Sequence, residues 1–113
     1  MIGPFRYSVR GALDIIERAP RDLRQVDVFK VAVNMGLLDL GGGTPRVPAH
    51  VDPAYAMTAD LEKPLIMLQP GPGTVVVGDG WHRVYRAVVE GRRQLPAYLL
   101  TVEETEEVKT LGP

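Results

Sequence analysis

Residues 75–101 decide the architecture: Val75-Val-Val77, Gly78-Asp-Gly80, Trp81-His-Arg-Val-Tyr-Arg-Ala-Val-Val-Glu90, Gly91-Arg-Arg-Gln-Leu95, Pro96-Ala-Tyr-Leu-Leu-Thr101. A short β-branched run enters a glycine-bracketed turn, and from Trp81 the apolar residues fall at 81, 84, 85, 88 and 89, a helical stripe that Gly91 ends. Pro96 to Thr101 is again strand-like. The order is β-α-β. If its two strands lie parallel in one sheet, the crossover is right-handed and the helix N-terminus sits at the sheet edge where ligands commonly bind.

Upstream, Leu65-Ile-Met-Leu68 is a continuous apolar run of buried-strand type, joined to Val75–Val77 through Gln69-Pro-Gly-Pro-Gly-Thr74, so a hairpin is predicted. Asp52-Pro and Pro64 bracket two helical turns, or two short turns separated by Thr58. Residues 26–40 fit both strand and helix periods. Residues 41–48, GGGTPRVP, read as a flexible loop within one domain rather than a domain boundary. Phe5 to Val9 alternates as a short strand does, and residues 11–19 form a helix that Pro20 stops. Glu103, Glu104, Glu106 and Glu107 give residues 103–113 the look of an acidic, solvated tail with at most one helical turn. The expected fold is a single α+β domain over 1–113, a small mixed β-sheet with packed helices.

At 113 residues, with 45% apolar and 24% charged content, a single modest core suffices without staples. The chain has no cysteine, which excludes disulfides, thiolate metal sites and thiol catalysis. A formal charge of −1 argues against a protein whose task is to neutralise a nucleic-acid backbone, so DNA binding by this chain unaided is not expected. No apolar run approaches a membrane span, and the start, MIGPFRYSVRG, lacks a signal-peptide core. A cytoplasmic location is the expectation.

The chemistry concentrates at the turn. A helix start presents unpaired N–H groups and the positive end of the macrodipole, and small residues let an anion approach that backbone closely. Arg83 and Arg86 lie opposite the apolar stripe, with His82 one turn from Arg86, so three cation donors gather at that end and phosphate is the natural guest. The competing reading is structural: Asp79 caps the helix, Trp81 packs in the core and both arginines are solvated. Asp79 and His82 are the candidate acid and base, with Asp14 and Glu17 of the first helix as further carboxylates, but Asp79 suits a cap better. His50 and Asp52 lack further ligands nearby, and no metal site is assigned. Trp81, Tyr85 and Tyr98 read as core rather than base-stacking residues, and Arg92 and Arg93 as surface cations beyond the helix end.

The segment VVVGDGWHRVYRAVVEGRRQLPAYLL resembles the central unit of the ParB/sulfiredoxin-like superfamily, the ParB-like nuclease domains. That pattern has a strand, a D-G-x-H-R or G-x-R-R turn, a helix opening R-x-x-A, then Gly and a strand opened by Pro. It is met here by Asp79-Gly-Trp-His-Arg83, Arg86-Ala87, Gly91 and Leu95-Pro96. The resemblance covers about a quarter of the chain, and DLEKPLIML ahead of it extends this to roughly a third. It implies a nucleotide held by its phosphates, a nucleoside triphosphate with Mg²⁺, contacted by Gly78, by the backbone of Gly80, Trp81 and His82, and by the side chains of Arg83 and Arg86. Sulfiredoxin chemistry needs a cysteine in that turn and is excluded. The helix-turn-helix and dimerisation segments of full partition proteins are not expected within these 113 residues.

The leading expectation is therefore a nucleotide- or phosphate-binding domain, with hydrolysis or phosphoryl transfer left open. The alternatives are a regulatory protein-interaction module that has lost its ligand, for which the turn is only a helix start, and a DNA-acting ParB-like protein. The second ranks last, because neither net positive charge nor a metal-holding carboxylate cluster is visible.

Overall fold

A computed structural model describes residues 5–38 and 51–111. The loop expected at 41–48 and His50 lie outside the described residues.

The apolar run at 65–68 is central because both of its faces are covered. Strand β3 (Leu65–Gly71) forms a hairpin with β4 (Thr74–Asp79) and lies parallel to β5 (Gln94–Leu99), which pairs antiparallel with β2 (Arg24–Asp27). The sheet is mixed, in the order β2-β5-β3-β4. Leu65 and Met67 point into one core cluster, Ile66 and Leu68 into a second on the other face, and all four are buried. Period-two alternation with two dry faces gives a run without polar positions. The hairpin turn is the pair Pro72-Gly73, where Pro presets the first central φ and Gly73 supplies φ +76° at the second.

Among the described residues, five helices accompany the sheet. Helix α1 (Val9–Arg18) starts where the Ser8 hydroxyl accepts the Gly11 N–H at 2.9 Å, and buries Ala12 and Ile15 in the second cluster. Residues 26–40 carry both periods because the chain switches there: β2 ends at Asp27, whose carboxylate accepts the Lys30 N–H and caps α2 (Val28–Asn34). Helix α3 (Pro53–Ala56) is one turn, capped by Asp52 with Pro53 at its first position. Helix α4 (Trp81–Val89) packs Val84, Tyr85 and Ala87 into the first cluster beside Val31 and Ala32 of α2.

One condition is not met and one expectation needs correction. The β-α-β order at 75–101 holds, but the condition that its strands lie parallel does not: β4 runs against β3 and β5 runs with it, so α4 carries the chain past the end of β3 from one flank to the other. The acidic segment after Thr101 is not a solvated tail. Helix α5 (Val102–Val108) opens with a capping box in which Thr101 Oγ1 accepts the Glu104 N–H and the Glu104 carboxylate accepts the Thr101 N–H. Its alternate face buries Thr105 and Val108, and β6 (Lys109–Leu111) then pairs antiparallel with β1 (Phe5–Tyr7). Glutamates at 103, 106 and 107 occupy the exposed face, while Glu104 is drawn in by Arg21. The guanidinium donates to both Glu104 carboxylate oxygens and to the Leu99 carbonyl. That hydrogen-bonded ion pair holds the Glu104 carboxyl below its ordinary value.

Candidate functional site

The turn predicted to carry the chemistry is built by a bulge. Ile66 pairs with Asp79 and Met67 with Val77, so Gly78 has no partner of its own and β4 bends as it leaves the sheet. A Cβ on Gly78 would lie 2.7 Å from Leu68 Cγ; packing on the buried strand explains the glycine. Gly80 has φ +116°, and a Cβ there would lie 2.4 Å from Leu65 Cδ2. Backbone conformation and the close approach of Leu65 both demand glycine.

Gly80, not Asp79, is the N-cap of α4, and as a glycine it offers no side-chain cap. The other described helices are capped by Ser8, Asp27, Asp52 and Thr101. The expectation that Asp79 caps α4 fails because its carboxylate turns toward Arg83, accepting from Nη2 at 3.1 Å. The start of α4 opens on a polar cavity of about 350 Å³. Gly78, Asp79, Gly80, Trp81, His82 and Arg83 line it together with Tyr55, Thr58, Ala59, Asp60 and Lys63. Five of the six predicted phosphate contacts thus come together; Arg86 does not line the cavity.

The cations are placed differently from the sequence reading. Arg83 is not on a solvated face. Its side chain is 12% exposed, and Nη1 donates to the carbonyls of Lys63 (3.0 Å) and Pro64, so it ties the entry to β3 onto α4. Arg86 donates to the Ala59 carbonyl at 2.6 Å and to Glu90 at 2.7 Å. His82 Nε2 accepts the Asp52 N–H at 3.1 Å, which only a ring unprotonated at that nitrogen can do, and its edge meets Tyr55 with centroids 4.9 Å apart. Trp81 is half-buried against the first core cluster and also borders the cavity, and Tyr85 is core. Arg92 is exposed and pairs with Glu62 at 3.3 Å.

The sequence reading did not single out Tyr55, Thr58, Asp60 or Lys63. The available signal was Lys63-Pro64 in DLEKPLIML: a proline before a buried strand ends the preceding turn and leaves its neighbouring cation at the strand's entry. Asp52, weighed as a metal ligand with His50, is used as a cap toward Ala54 and Tyr55. Among the described residues no group of three or more metal-ligating side chains converges, and no helix is long and apolar enough to cross a membrane. The sequence matches no family model, and no curated protein or solved structure is significantly similar to it.

Proposed function

We propose that the protein binds a phosphate-bearing ligand, a nucleotide in the ParB-like reading, at the N-terminus of α4. The observation that carries this is the conjunction of a helix start whose N-cap is a glycine with a polar cavity of about 350 Å³ in front of it. Helix-start amides and the macrodipole favour an anion there, and Lys63, exposed and also lining the cavity, supplies a cation. Arg83 supports the site from behind, holding the wall that contains Lys63 against α4, rather than gripping phosphate as a free fork.

This reading includes binding without efficient turnover. Asp79 is engaged by Arg83 and His82 Nε2 by the Asp52 amide, so neither candidate acid or base is poised as the sequence suggested. A second reading, the interaction module, is favoured by the same two arginines, since Arg83 and Arg86 both spend donors on internal carbonyls.

Thermal-shift titration with inorganic phosphate, CTP, ATP and GTP, with and without Mg²⁺, separates the two. A ligand at 100 times its Kd adds about 2.7 kcal/mol. A shift with at least one anion, weakened tenfold or more in Lys63→Ala at unchanged unliganded stability, supports the site. No shift with any of them leaves the interaction module as the function. Release of phosphate faster than about one turnover per second, the low end for phosphoryl-transfer enzymes, would remove the binding-only part.

A further inference from the structure

Among the described residues, the two edge strands of the four-stranded sheet, β2 and β4, have no partner on their outer sides and are unlike. Edge strand β2 exposes Arg24, Gln25 and Asp27, the charged guard that natural sheets place on an edge to prevent pairing. Edge strand β4 is charged only at its last residue, Asp79, which pairs with Arg83: residues 69–78 carry no charge, and Thr74, Val75 and Val76 are exposed. Apolar surface continues on both sides of this edge. On one face, Val75, Val76 and Val77 border a cleft of about 460 Å³ with Val31, Met35 and Trp81. On the other, Val9 of α1 borders a small recess with Gly78 and Asp79, and Val9 and Leu13 are exposed one turn apart.

We propose that this edge pairs with the same edge of a second copy, β4 against β4 in antiparallel register, joining two four-stranded sheets into one. Such pairing is isologous, so each residue near the axis meets its own kind or a close neighbour. Charge decides for self-pairing: Thr74–Val77 brings only threonine and valine to the axis, whereas β2 would set Arg24 and Asp27 into the pairing. The rim of the cleft holds Asp27 and Lys30, opposite charges that a two-fold operation can set across from one another. The pairing stretch is short because the bulge at Gly78 ends it. Four residues at about 3.4 Å each span roughly 14 Å. A standard interface of about 800 Å² per partner would take about a ninth of the 7140 Å² surface, which the strand edge reaches only with the flanking cleft. The dimer is therefore of the weak class, and its population depends on concentration.

Sedimentation velocity on the full chain from about 10 µM to about 1 mM, the range of weak affinities, is expected to pass from monomer toward dimer. Hydrogen exchange across the same range is expected to slow at the outward amides of Thr74–Val77 and to stay constant in β2. Val76→Lys sets two ammonium groups close to the axis, so association should weaken at least tenfold while circular dichroism and Tm stay near those of the parent. A monomer at every concentration, or β4 exchange indifferent to concentration, overturns the proposal and leaves the edge to a foreign strand. Dimerisation of Val76→Lys at parental strength overturns it in favour of another interface. Should that variant not fold, the exchange measurement on the parent chain decides.

Discussion

Gly80 and Arg83 both hold the turn together. The glycine, expected to admit a ligand closely or to take a positive φ, has φ +116° and a notional Cβ 2.4 Å from the Leu65 methyl. Leu65 is fully buried. Gly80→Ala is therefore expected to lower stability by about 1–3 kcal/mol through strain, before any ligand is added. Chemical denaturation measures it, and a loss under about 0.5 kcal/mol, the range of an ordinary surface change, would mean that the turn relaxes freely. Arg83, expected to be replaceable on a polar face, satisfies two carbonyls and one carboxylate. Its truncation leaves those acceptors in a half-closed site, so Arg83→Ala should destabilise by about 1–3 kcal/mol. A variant as stable as the parent, yet blind to phosphate, would return Arg83 to the ligand. The residue types and their neighbourhood were legible in Asp79-Gly-Trp-His-Arg83. Their partners were not, because Lys63, Pro64 and Leu65 reach this turn only through the pairing of β3 with β4.

Among the elements, legibility followed the source of each signal. The LIML run and the Trp81–Val89 stripe identify themselves through burial that any neighbour would provide. Residues 26–40 carry two periods because a strand and a helix meet at Asp27, and a window spanning the join averages them. Helix α5 was missed since its acidic composition dominates its pattern, whereas the capping box Thr101-x-x-Glu104 was present to be read. The interaction that docks α5 is pH-dependent. The Arg21 hydrogen bond, the largest influence, holds the Glu104 carboxyl below its ordinary value. A depressed carboxyl contributes stability that is complete above the unfolded value and is lost as pH falls through the folded one. Glu104→Gln should thus be less stable than the parent at pH 7, and the difference should shrink as acid is added below about pH 4.5. Urea melts across that range test this; a constant difference would show that packing, not the charge, binds α5.

For the whole molecule, β3 is the organiser: one strand divides two cores, and the candidate cavity lies at the end where β3 begins, β4 ends and α4 starts. The α+β class was readable from the alternation of brief strands and helices. The strand order was not, because β4 and β5 could equally have been parallel neighbours, and only their separate pairing with β3 distinguishes the two arrangements. That order also sets a sequence of events in time. The β3–β4 hairpin closes across the Pro72-Gly73 turn, a search of microseconds, whereas β2 must find β5, and β1 must find β6, across most of the chain. Non-local pairing slows the approach to the native state, so pulse-labelled refolding should protect the amides of β3 and β4 first and those of β1, β2 and β6 only in the final phase. The acidic helix α5, tethered between β5 and β6, would then lock last, leaving its cluster of glutamates outside the folding nucleus.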